Sequence, residues 1–250
     1  MLMRCLAASY RRKLNILSTH KSMLSEGAAM PDESVDFCLQ RKGKKMNIAY
    51  NMDCVEAMRK MPDKCFDLAV VDPPYGININ HNMGRRKGDK PSEYKKVTWD
   101  SNPPDKEYFD ELFRVSKSAV IWGGNYYSLP PCKCFLVWRK PQISENVSFS
   151  MLEYAWTNLD DTAKEFIGMS NEPDRIHPTQ KPVALYAWIY SHYAKHGYKI
   201  LDTHLGSGSS RIAAYDAGID FVGFEIDKDY FDRQEERYNA HASQMNLFLD

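Results

Sequence analysis

The chain has 250 residues, 43% of them hydrophobic and 12% aromatic, enough to bury a full core in one large α/β domain. Lys plus Arg total 33 and Asp plus Glu total 33, so there is no global basic field and any surface for a polyanion has to be local. No apolar run approaches the roughly 18 residues that a membrane span needs, so a spanning helix is excluded and a soluble, cytoplasmic protein is expected.

Residues 1–45 stand apart. Arg4, Arg11, Arg12, Lys13 and Lys21 precede the first acid, Glu26. This stretch is expected to be a poorly ordered N-terminal extension, with a transit peptide as the minor alternative. From Met46, strand-length apolar runs alternate with helix-length amphipathic runs, which predicts a doubly wound, mostly parallel α/β sheet of seven strands. The predicted strands are Asn47–Asn51, Phe66–Val71, Ala119–Trp122, Cys134–Trp138, Glu153–Trp156, Lys199–Asp202 and Phe221–Glu225. The predicted helices are Cys54–Lys60, Asp105–Lys117, Pro182–Lys195, Ser209–Ala217 and Asp229–Ala242. Residues 243–250 follow as a tail. Two polar stretches, 76–104 and 142–174, break the rhythm and read as functional loops, the second as a target-recognition segment. The six cysteines, at positions 5, 38, 54, 65, 132 and 134, follow no metal or disulfide spacing, so reduced thiols and no metal site are expected.

Three turns carry chemistry. Asp72-Pro73-Pro74-Tyr75 follows the strand Phe66–Val71, at the carboxyl end where open α/β sheets bind ligands. Its prolines lack N–H donors and leave carbonyl acceptors, Asp72 offers a carboxylate and Tyr75 a flat face. Those groups suit an exocyclic amine on a stacked base, although a strand-ending proline turn has the same composition. The second turn, Asp202-Thr203-His204-Leu205-Gly206-Ser207-Gly208-Ser209, joins a strand to a helix, and the next strand ends in Glu225, about where this architecture sets an acid on a ribose. A tight strand-to-helix connection would also use those glycines. The third, His177-Pro178-Thr179-Gln180-Lys181-Pro182, leads into a helix; Thr179 or Lys181 could reach a carboxylate, and a helix-initiating turn reads the same way.

Over residues 46–240 the order of these elements resembles the β-group amino-methyltransferases of DNA. The matching elements are Asn51-Met52-Asp53, V-D-P-P-Y-G, I-W-G-G-N-Y-Y, F-L-V-W-R-K, H-P-T-Q-K-P, D-x-x-x-G-S-G-S and G-F-E-I-D. The resemblance implies a class I, circularly permuted Rossmann-like fold, S-adenosylmethionine (AdoMet) as cofactor, double-stranded DNA as substrate and a target base flipped from the duplex. It implies that Asp72, Pro73, Pro74 and Tyr75 hold the base. Gly206, Ser207, Gly208 and Ser209 would take the methionine part, Glu225 the ribose and Asp53 the adenine, Asp72 and Asp202 would also belong to the cofactor-binding set, and Thr179 and Lys181 complete the cofactor pocket. Asp at the first position of D-P-P-Y looks like the adenine-N6 type, where cytosine-N4 enzymes usually carry Ser. Methylation of cytosine N4 or of RNA, or an inactive DNA-binding module on the same fold, are the alternatives. Cytosine-C5 chemistry is disfavoured because no cysteine adjoins the turn. His204 departs from the family's usual Phe, and is expected to pack in the pocket wall.

The basic loop with Arg85, Arg86, Lys87, Lys90, Lys95 and Lys96 is the expected phosphate-contacting surface, with Trp99 beside it. A solvated loop would share that composition. The segment Gln244-Met245-Asn246-Leu247-Phe248 resembles peptides that bind the bacterial sliding clamp, and equally suits a helix end packed on the sheet.

Overall fold

The computed structural model describes residues 46–78, 100–146, 150–170, 172 and 174–247. The N-terminal extension, the basic loop with its six cations, Trp99 and Phe248 lie outside the described residues.

One sheet of eight strands runs through the described residues. In chain order these are β1 (Asn47–Tyr50), β2 (Phe66–Val71), β3 (Ser116–Trp122), β4 (Phe135–Arg139), β5 (Leu152–Thr157), β6 (Lys164–Ile167), β7 (Lys199–Asp202) and β8 (Asp220–Phe224). Their order across the sheet is β1-β8-β7-β2-β3-β5-β4-β6. Pairing is parallel from β1 through β3, antiparallel at β3–β5 and β5–β4, and parallel again at β4–β6. The helices are α1 (Cys54–Arg59), α2 (Lys106–Val115), α3 (Val183–Tyr193), α4 (Ser209–Ala217) and α5 (Lys228–Leu247).

β2 is central because its apolar run can be covered on both sides: Leu68, Ala69, Val70 and Val71 are all buried. Leu68 and Val70 join Val120, Trp122, Leu136 and Trp138 in a core capped by Leu185 and Ile189 of α3 and Ala213 of α4. By strand alternation Ala69 and Val71 face the other side, where α2 packs on β3 and α1 on α2. Helix α2 fits that face because Tyr108, Leu112 and Val115 recur at helical spacing and are buried, and Asp105 caps its first turn by accepting from the Tyr108 amide at 3.0 Å.

Two expectations change. The sheet has an eighth strand, β6, inside the stretch read as a recognition loop. Its sequence Lys-Glu-Phe-Ile carries two charges, and it pairs only with β4, so it shows no apolar run and becomes visible only through that pairing. The last helix continues to Leu247 rather than ending near Ala242, since nothing between them breaks a helix.

The sheet places two turns side by side. From β2 the chain proceeds through α2 to β3 in one direction, and from β7 through α4 to β8 in the other, so the strand order reverses between β2 and β7. Such a switch point opens a crevice at the carboxyl ends of the strands. Three residues beyond the paired Ala69 and Leu201 come Asp72 and His204, one on each wall.

Candidate active site

A cavity of about 700 Å³ opens at this switch point. Asp72, Pro73, Pro74 and Tyr75 line it from β2, Gly206 and Ser207 from beyond β7, Glu225 and Ile226 from beyond β8, and His177, Thr179 and Lys181 from the segment entering α3. Three sequence-distant turns thus meet. Asp53, Asp202, Gly208 and Ser209 do not line it. Asp53 caps α1, with one oxygen accepting from the Val55 and Glu56 amides at 2.8 and 3.0 Å. Asp202 accepts from the His204 amide at 3.1 Å and from the Ser210 hydroxyl, shaping the turn from behind.

The base half centres on Asp72. One carboxylate oxygen accepts the Tyr75 hydroxyl at 2.7 Å and the other the Lys181 ammonium at 2.5 Å. Lys181 also reaches the Tyr75 oxygen at 3.1 Å and Glu153 of β5 at 3.0 Å, and Glu153 pairs in turn with Lys140. Burial pushes the Asp72 carboxyl above its ordinary value, and Lys181 opposes that shift without cancelling it. Asp100 fixes the turn's backbone by accepting from the Tyr75 and Gly76 amides at 2.8 and 2.9 Å. The Tyr127 hydroxyl is shared between the Pro73 and Pro74 carbonyls at 2.8 and 3.1 Å. Each carbonyl has two lone pairs, so one on each stays available to a substrate donor.

Tyr75 lies against the turn after β3. Gly123 has φ +71°, and a Cβ there would sit 2.3 Å from a Tyr75 ring carbon, so only glycine lets the ring in. On Tyr75 stacks Tyr126, centroids 4.9 Å apart and planes 14° apart, and Tyr126 is 46% exposed at the cavity mouth.

In the cofactor half, Glu225 accepts from the Gly206 amide at 2.8 Å through one oxygen and from the Asp227 amide at 2.9 Å through the other. A carboxylate so held keeps lone pairs for a vicinal diol. Ile226, 65% exposed beside it, offers an apolar surface to a purine ring, and Ser207 and Thr179 bring hydroxyls. Gly206 and Gly208, at φ +53° and +75°, turn the backbone into α4. This donor set and the size of the cavity fit AdoMet. His177 and His204 are driven neutral by burial, their pKa values lowered to about 3 and about 4. Burial raises Asp202 to about 7.

Sequence reasoning missed Lys140, Glu153, Asp100, Tyr126, Tyr127 and Ile226. Lys140, Tyr126, Tyr127 and Ile226 stood inside recognised elements, V-W-R-K, G-G-N-Y-Y and F-E-I-D, but without a role. Glu153 and Asp100 gave no signal, since their partners lie far away in the chain.

Residues 132–236 match the family model of the N6/N4 DNA methylases. YubD of Escherichia coli strain K12, a protein named as a methylase, is 24% identical over 75% of this chain and 88% of its own length. The type II methyltransferase M.HinfI of Haemophilus influenzae is 22% identical over 77% of this chain and 68% of its own. Among solved structures, M1.HpyAVI in complex with SAM superposes with a TM-score of 0.52 at 19% identity, covering 76% of this chain and 98% of that one. The cytosine-N4-specific PvuII DNA methyltransferase gives 0.51 at 13% identity, covering 81% and 95%. Those two likenesses establish the fold. With the D-P-P-Y and Gly-rich turns facing one cavity on that fold, and the family model matched across β4 to α5, residues 132–236 carry an N6/N4 DNA methylase domain, and these findings together support a DNA amino-methyltransferase with AdoMet as its cofactor.

Proposed function

We propose that this enzyme methylates the N6 amino group of adenine in double-stranded DNA. Asp72 carries the reading: a carboxylate stands at the head of the D-P-P-Y turn, where the cytosine-N4 type usually has Ser. The adenine amine is a poor nucleophile because its lone pair is delocalised into the ring. Its two hydrogens need two acceptors, and Asp72 with the Pro73 carbonyl offers a pair at the cavity wall. Hydrogen bonds to both draw the nitrogen towards tetrahedral geometry and release its lone pair. AdoMet, when bound, supplies an electrophilic methyl group. The protein contributes orientation and a preorganised polar wall, without a covalent intermediate. Tyr75 gives the flipped base a stacking surface. The cations Arg85, Arg86, Lys87, Lys90, Lys95 and Lys96, which follow this turn in the chain, complete the proposal as the phosphate-contacting loop.

Methylation-aware sequencing of DNA from cells expressing the protein tests this. Modified adenines at one short recurrent site are expected. Modification confined to cytosine, or none at all with folded protein present, would refute it.

A further inference from the structure

The cofactor role that the family resemblance implies for Lys181 meets a difficulty of valence. An ammonium has three N–H donors. Here two hydrogen bonds are made, to Asp72 at 2.5 Å and to the Tyr75 oxygen at 3.1 Å, and the Glu153 carboxylate stands beside the ammonium as an ion pair at 3.0 Å, so the surroundings of the charge are already filled by the base half. The Lys181 side chain is only 3% exposed, and its ammonium lies 5.5 Å from the centre of the Trp122 ring and 5.6 Å from that of Tyr75. All of these neighbours belong to the base half of the cavity or to the core beneath it.

We infer that Lys181 serves the base half as the buried counter-ion of Asp72, held there by Glu153 and Lys140, and is not a ligand of the cofactor's methionine carboxylate. The inference rests on reading Asp72 as an acceptor of the base amine. A carboxylate buried without a cation takes up a proton instead. A protonated Asp72 would present one acceptor and one donor to an amine that requires acceptors. Lys181 is the only cation bonded to Asp72 among the described residues. The other groups facing the carboxylate are Tyr75 from its own turn, Tyr127 beyond β3, Glu153 from β5, Tyr186 from α3 and Asp202 from β7, none of which carries positive charge. Burial pulls the Lys181 ammonium down, but Asp72 and Glu153 outweigh it and the net shift is upward, so the cation persists at neutral pH. Lys140, whose side chain is 3% exposed, neutralises the second carboxylate, so Glu153 can orient Lys181 without drawing it from Asp72. Four charges, two buried ammoniums and two half-buried carboxylates, alternate in sign and sum to zero. Lys181 is therefore a positioning residue, acting through Asp72.

The test measures AdoMet affinity by calorimetry and the pH dependence of kcat/KM for DNA methylation, comparing the full-length protein with Lys181→Met. Expected are an AdoMet Kd within about threefold of the parent and an acid limb displaced upward by about two pH units, the size of shift that loss of a buried counter-ion produces. Activity near pH 6.5 then falls on the order of 30-fold or more and returns towards pH 9. A Kd weakened tenfold or more, or a pH profile parallel to that of the parent, would overturn the inference. If a lone buried carboxylate prevents folding, the charge-balanced double variant Asp72→Asn, Lys181→Met answers through AdoMet affinity alone: an unchanged Kd supports the counter-ion role, and a tenfold loss, or failure of the balanced variant to fold as well, contradicts it. A parent protein that methylates no base amine would remove the reading of Asp72 before any variant is made, while the affinities still decide which half of the site Lys181 serves.

Discussion

Tyr126 lies flat over Tyr75, ring centroids 4.9 Å apart and planes inclined by 14°. The stack occupies one face of the ring proposed to receive the flipped base. Tyr75 meanwhile donates its hydroxyl to Asp72 at 2.7 Å, so a single side chain serves as platform and as brace.

Substitution separates those two uses. Tyr75→Phe keeps the stack and loses the hydrogen bond, and should lower stability by about 1 kcal/mol with a loss of kcat/KM below tenfold. Tyr75→Ala removes the platform as well. Base–aromatic stacking is worth about 1–3 kcal/mol, so kcat/KM should fall roughly 10- to 100-fold. Steady-state methylation assays on both variants decide, and equal losses would show that stacking contributes nothing.

Gly123 is the position where the turn after β3 makes room for Tyr75. In Gly123→Ala the methyl group must occupy space 2.3 Å from the ring, at a backbone φ of +71° that side chains disfavour. The expected cost is at least 1 kcal/mol of stability, from backbone strain alone, with Tyr75 displaced. Denaturant unfolding and kcat/KM should both fall while AdoMet affinity holds. A neutral substitution would mean that Tyr75 does not need this seat.

Arg237 ties the Gly-rich turn to the segment entering α3. It donates to the Ser207 carbonyl at 3.0 Å, the Ser209 hydroxyl at 2.9 Å, Glu172 at 3.0 Å and Asp174 at 2.6 Å, and its side chain is 8% exposed. Arg237→Met leaves Glu172 without its cation, which costs about 3 kcal/mol for a pair this buried. Stability measured in urea should drop by that amount and AdoMet should bind more weakly, because Ser207 lines the cavity. A loss of stability with unchanged AdoMet affinity would confine Arg237 to a structural role.

His204 predicts an acid-side signature. Its pKa, lowered by burial to about 4 from the ordinary imidazole value of 6.5, means that the folded state binds its proton later than the unfolded chain does. The unfolded state therefore holds more protons between those two values, and stability is fully present above about 6.5 and declines as pH falls towards 4. His204→Phe, the residue the family usually carries there, should be more stable than the parent by about 2 kcal/mol near pH 5 and nearly equal near pH 7.5. Thermal unfolding across that range checks it; a constant difference at every pH would contradict it.

Much of this architecture could be read directly from the residues. Seven strands and five helices announce themselves by apolar period and turn residues, and the two ligand-facing turns by glycine and proline. β6 did not, because an edge strand with a single paired side needs no apolar run. The site was legible as turns but not as contacts. Asp72 and Lys181 lie 109 residues apart, and only the β2–β7 pairing and the packing of α3 bring them together. Lys181 therefore suggested a cofactor ligand in sequence, where no local pattern reveals that a distant Asp72 accepts from it and Glu153 pairs with its charge. Tyr127 was hidden for the same reason, since its hydroxyl is aimed at prolines more than 50 residues earlier.

Amine methylation directed by Asp72 can be checked by incubating purified protein and AdoMet with unmethylated DNA, digesting the product to nucleosides and identifying the methylated base by mass spectrometry. N6-methyladenine is predicted with the parent and none with Asp72→Ala, although that variant still binds AdoMet. N4-methylcytosine in place of methyladenine, or undiminished methylation by Asp72→Ala, would contradict it.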